Sequence, residues 1–131
     1  MQTGDAMTIS VDTRVPSGTP AVILTFLSSY NEVGVLHVSC VEAYCSCTPG
    51  EIDTLRPKEQ NAQLSTYTVE VATSTADCSL DLRNSSPKHR PGCSAPASSP
   101  CTKVKVVGWS VVARRRNDYS HALARAQNAT I

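Results

Sequence analysis

The six cysteines are the residues of this chain with the most chemistry to offer. Cys40, Cys45 and Cys47 crowd one short stretch after a strand-like run, and Cys78, Cys93 and Cys101 follow at wide spacing. Thiols this dense serve either disulfides or a metal. Structural zinc sites favour cysteine pairs two to four residues apart, matched by a second pair or by closely spaced histidines. The spacing here is different, and His37, His89 and His121 are scattered. On an alternating strand, His37 also points away from Cys40. Disulfides are therefore expected, with no metal and no cofactor, and disulfides imply an oxidising compartment.

Geometry narrows the pairing. Cys45 and Cys47 are too close to bridge each other without strain. Cys93 and Cys101 bracket a Pro/Ser-rich stretch and can close it on itself. For the remaining four, Cys40–Cys45 with Cys47–Cys78 is the first expectation. The alternative exchanges Cys45 and Cys47 between those partners.

The chain offers little else for catalysis. It has no Gly-x-Ser-x-Gly, no P-loop and no His-Glu-x-x-His. Gly4-Asp5-Ala6 ends in alanine where a Gly-Asp-Ser block would carry its nucleophile. Glu42, Glu51, Asp53, Glu70, Asp77 and Asp81 read as solvated turn and strand-edge carboxylates rather than an acid/base pair. No catalytic residue is assigned, and the chain is not expected to be an enzyme. For binding, an exposed ring can stack on the apolar face of a sugar. Tyr30 and Tyr44, at strand ends beside polar turns, are the candidate ligand-binding rings; Trp109, flanked by Val107 and Val111, reads as core. Arg114-Arg115-Arg116 can meet an anion, but three charges fall short of a patch and read as a solvated run.

The elements that must position these residues are strands. Met7, Ile9 and Val11 alternate with polar residues. Ala21–Leu27 is a continuous apolar run. Val35–Val41, Thr66–Thr73 and Cys78–Leu82 alternate again, and Thr102–Val112 is a long strand with a bulge signal at Gly108. Six strands without an amphipathic helix predict an antiparallel, disulfide-stapled β-sandwich of jelly-roll or lectin-like type, as one domain over residues 1–112. Residues 84–100 read as an exposed Pro/Ser-rich loop insertion, dispensable for the fold. Residues 113–131 read as a flexible or partly helical tail in which Asp118 can cap a turn. Two sequons, at Asn84 in the loop and Asn128 in the tail, are candidate glycosylation sites.

Composition excludes several classes. The chain has 131 residues, 5% of them aromatic, and covalent staples support a core of small β-branched residues. A net charge of +1 and a pI near 7.6 give no reason to expect nucleic acid. No apolar run reaches the length of a bilayer span. The first residues lack the features of a signal peptide, so the domain reads as part of a longer secreted or cell-surface protein, entered partway through.

Leu27-Ser28-Ser29-Tyr30, Val33-Gly34, Val38-Ser39-Cys40, Cys45-Ser46-Cys47, Ile52-Asp53, Cys78-Ser79-Leu80 and Lys103-Val104-Lys105-Val106 together form a familiar series. It resembles the C-terminal β-rich domain of plant and green-algal secreted proteins that carry an SGNH-hydrolase-like (GDSL-type) region. The resemblance covers roughly residues 5 to 112. The Cys93–Cys101 loop and the tail depart from it, and the hydrolase block is absent. It implies a non-catalytic extracellular accessory module, with polysaccharide or glycan and an adjacent hydrolase-like domain as partners. The alternatives are a fragment that only stabilises such an esterase-like neighbour, or a small cysteine-rich enzyme or metal protein.

Overall fold

A computed structural model describes residues 4–41, 43, 45–56, 61–72, 75–87, 90–98, 100–115 and 118–128; the side chains of 115 and of 118–128 are not part of that description. The strands are β1 (Ala6–Val11), β2 (Thr19–Ser28), β3 (Val35–Cys40), β4 (Gly50–Asp53), β5 (Gln63–Glu70), β6 (Cys78–Asn84), β7 (Val106–Arg115) and β8 (Asp118–Asn128). They form two antiparallel four-stranded sheets, ordered β1-β6-β3-β4 and β5-β2-β7-β8. Only β3–β4 and β7–β8 are neighbours both in sequence and in a sheet; every other connection passes from one sheet to the other.

The alternation of apolar residues sets the inner faces. Ile9, Val11, Leu36, Val38, Ile52, Leu80 and Leu82 from one sheet meet Val22, Leu24, Phe26, Val69, Val106, Trp109 and Val111 from the other in one core. Trp109 is 9% exposed and belongs to it. β2 is central in its sheet, which explains its unbroken apolar run. Its inner face is buried, and Ile23, Thr25 and Leu27 on the outer face are half-buried. Pro20 is tolerated near the strand start, where its carbonyl accepts from the Val71 amide at 3.1 Å. The bulge lies beside Gly108: Thr25 pairs with Gly108 and Phe26 with Val106, so Val107 is the extra residue.

Three sequence expectations are corrected. The four-residue β4 carries a single buried residue, Ile52, too weak a pattern to read alone; it forms because β3 offers an edge. Within the tail, residues 113–115 and 118–128 are strand rather than flexible or helical. β7 runs on to Arg115, and β8 pairs with it from Arg115↔Asp118 to Gly108↔Asn128. The Ala- and Gln-containing segment has helix propensity, but an open sheet edge beside it outweighs that local preference. Arg114 pairs with Glu70, and both side chains stay open to solvent. Finally, the last body strand begins at Val106 rather than Thr102. Lys103 makes an isolated bridge to Val33 instead.

Candidate functional site

The end of the sandwich where β2, β4 and β6 finish is built from residues 29–34, 53–56, 84–87, 90–98 and 100–103. Ser29 anchors it: its amide donates to the Thr54 carbonyl at 3.1 Å, and its own carbonyl accepts from the Arg56 amide at 2.7 Å. The Thr54 hydroxyl and amide both donate to the Gly34 carbonyl, at 2.7 and 3.0 Å. Gly34 must be glycine, because a Cβ there would lie 1.9 Å from the Ser86 Oγ. That hydroxyl oxygen accepts from the Val35 amide at 2.7 Å. Val33, Leu55 and Cys101 form a second small core under this end, with Cys93 and Ala95 against it.

Tyr30 sits on this end, 42% exposed, as its position at a strand end predicts. Tyr44 lies outside the described residues. Cys45 and Cys47, which follow it in sequence, belong to the opposite end of the sandwich, where Cys47 bridges to Val71 beyond β5.

Two buried polar atoms in the described residues have no hydrogen-bond partner, Asn31 Oδ1 and Arg90 Nε, and both belong to the Tyr30 end. The Arg90 side chain is only 6% exposed and pairs with Asp53. Asp53 Oδ1 also accepts from the Leu55 amide at 3.0 Å, and the Asp53 carbonyl accepts from Arg56 Nη1 at 2.8 Å. Arg90 lines a cleft of about 380 Å³ together with Cys93, Ala95, Pro96, Ala97, Pro100 and Cys101. Sequence reasoning missed Arg90. The signal available was a lone arginine next to Pro91-Gly92 and a cysteine-closed loop, and nothing in that string points to Asp53.

The loop itself is corrected in one respect: its ends are structural. Asn84 closes β6 at 1% exposure. Its Nδ2 donates to the Thr102 carbonyl at 2.8 Å, and its Oδ1 accepts from the Ser86 amide at 3.1 Å. The sequon asparagine is therefore turned inward and engaged. Asn128 ends β8, and its side chain is not among those described.

All six cysteines are paired. Cys93–Cys101 closes the loop as expected, with a Cα–Cα distance of 6.0 Å. The other two bridges are Cys40–Cys47 and Cys45–Cys78, the exchanged arrangement rather than Cys40–Cys45 with Cys47–Cys78. The reason is local. The Cys45 amide donates to the Val41 carbonyl at 3.1 Å, and this turn drops Cys45 into the core beside the fully buried Cys78. Cys47 is left extended and reaches back to Cys40. The sulfurs of Cys40, Cys45 and Cys78 lie within 4.8 Å of one another, the spacing of a metal cluster. Bridged sulfurs are not thiolates, the form that ligates metal, so the proximity records two adjacent disulfides.

No family model, curated protein or solved structure matches this chain. Its two-sheet antiparallel architecture and three disulfides stand on the structure itself. Among the described residues, no helix is long and apolar enough to cross a membrane.

Proposed function

We propose that the chain is a non-catalytic extracellular module that binds cell-wall or matrix carbohydrate, carried beside an SGNH-hydrolase-like region in a longer secreted or cell-surface protein. The observation that carries this reading is the Tyr30 end of the sandwich. There an exposed ring adjoins Asn31, whose buried carbonyl oxygen has no donor, in a segment tied by backbone hydrogen bonds to the Arg56 loop. A ring for stacking next to unsatisfied polar groups is the composition of a sugar subsite. Three disulfides in a chain of this size support the oxidising compartment.

A second reading, a fragment that stabilises an adjacent esterase-like domain, is favoured by one feature. Leu64 is 64% exposed on the outer face of the second sheet and pairs across to Leu27.

The test is a glycan array probed with the isolated, folded chain. Binding to a wall or matrix polysaccharide is expected, weakened severalfold by Tyr30→Ala while the far-UV β signature persists. The protein should show no turnover of acetyl esters. Ester hydrolysis abolished by one Ser, His or Asp substitution would overturn the proposal, and so would Tyr30→Ala binding glycan as well as the unaltered chain.

A further inference from the structure

We propose that the cleft between Arg90 and the Cys93–Cys101 loop is a subsite for the carboxylate of an acidic sugar, a uronate residue. The inference rests on the carbohydrate-binding reading and narrows its ligand to an acidic one. A guanidinium loses strong hydration when buried, and proteins normally compensate by saturating its donors. Arg90 is buried without that saturation. Asp53 is the acceptor it has, that carboxylate is itself more than half exposed, and Nε has no acceptor. A guanidinium kept this way retains donor capacity for an acceptor arriving from outside.

The rest of the cleft fits a sugar acid. Its volume of about 380 Å³ is at the small-ligand end of the range for binding pockets. The rest of the lining is proline, alanine and the two bridged cysteines, apolar surface that can pack against the C–H face of a pyranose. The Cys93–Cys101 bridge and the flanking Pro96 and Pro100 hold those walls before a ligand arrives, which lowers the entropic cost of binding. On the other side, Asp53 is fixed by the Leu55 amide and by Arg56, so the guanidinium is held in place. A carboxylate on the ring is the group an arginine recognises best, through paired charge-assisted hydrogen bonds.

The experiment titrates the full chain with a galacturonate trisaccharide and with its neutral galactose counterpart, by calorimetry and by NMR of the arginine Nε–Hε signals. The acidic trisaccharide is expected to bind more tightly and to move the Arg90 signal. Arg90→Gln should weaken the acidic ligand about ten- to a hundred-fold, the worth of a charged hydrogen bond, and leave the neutral one unchanged. Should that variant fail to fold, the NMR titration of the unaltered chain still decides the matter. Equal affinity for both sugars with a stationary Arg90 signal would overturn the acidic subsite and leave the carbohydrate reading standing. No binding of either sugar would overturn the acidic subsite, and the glycan array would decide the carbohydrate reading separately. Sodium acetate moving the Arg90 signal as far as the trisaccharide, at equal carboxylate concentration, would overturn the assignment to a sugar.

Discussion

Replacing Asn84 tests the most specific structural claim, that a residue in a glycosylation tripeptide is a buried strut. Its Nδ2 reaches the Thr102 carbonyl and its Oδ1 receives the Ser86 amide, while its backbone bonds Gly4 and Asp5 at 2.9 Å each. Asn84→Ala removes both side-chain bonds, each worth about 0.5–1.5 kcal/mol net. It also strands the Ser86 amide in a buried site, which adds desolvation cost. The sum is about 2–4 kcal/mol, and at roughly 4 °C per kcal/mol for a domain of this size the melting temperature should fall by about 8–16 °C. Asn84→Asp sharpens the test. It keeps the acceptor for Ser86 but turns the donor into an oxygen facing the Thr102 carbonyl. Burial would raise that carboxyl's pKa in the folded state above its unfolded value. Stability should then be greatest below the unfolded pKa and fall as pH rises through the folded one. Urea unfolding of both variants across acid to neutral pH, with mass spectrometry of the secreted protein, makes the measurement. Two variants as stable as the parent, or a glycan on Asn84 of the folded protein, would refute the reasoning.

The two body disulfides should differ in worth. By chain entropy the Cys45–Cys78 bridge, with a sequence separation of 33, contributes about 3.7 kcal/mol and Cys40–Cys47, with a separation of 7, about 2.4 kcal/mol. Paired alanine replacements compared by urea unfolding should rank in that order, the reverse ranking counting against the pairing. Excising Pro87–Thr102 should abolish folding, because the cut removes the buried Cys101 and the Thr102 carbonyl. Replacing only Ala95–Ser98 with Gly and Ser should leave the far-UV β spectrum intact. If the long excision folds, the loop ends do not belong to the core.

Much of the fold was legible because period-two alternation is a local signal with one dominant cause, burial of one face. Ile9 and Val11, the Val35–Cys40 segment and the Leu80–Leu82 pair announced their strands, Gly108 its bulge and Trp109 its place in the core. The Cys93–Cys101 link was legible for a similar reason, since its partners are close in sequence and bracket a segment that can pair with nothing else. What the sequence could not decide depends on partners far along the chain. Cys45 pairs with Cys78, 33 residues away, because the turn closed by its amide on Val41 buries it beside that cysteine, and this decides between two pairings that spacing leaves open. β8 and β4 exist because β7 and β3 present edges, against weak or contrary local preference. Asn84 and Arg90 look like exposed loop residues in the string. They are buried because Thr102 and Asp53, 18 and 37 residues away, supply the hydrogen bonds that make burial tolerable. Hydrogen-bond compensation of a polar side chain is a long-range property, so it is decided only when the sheets close.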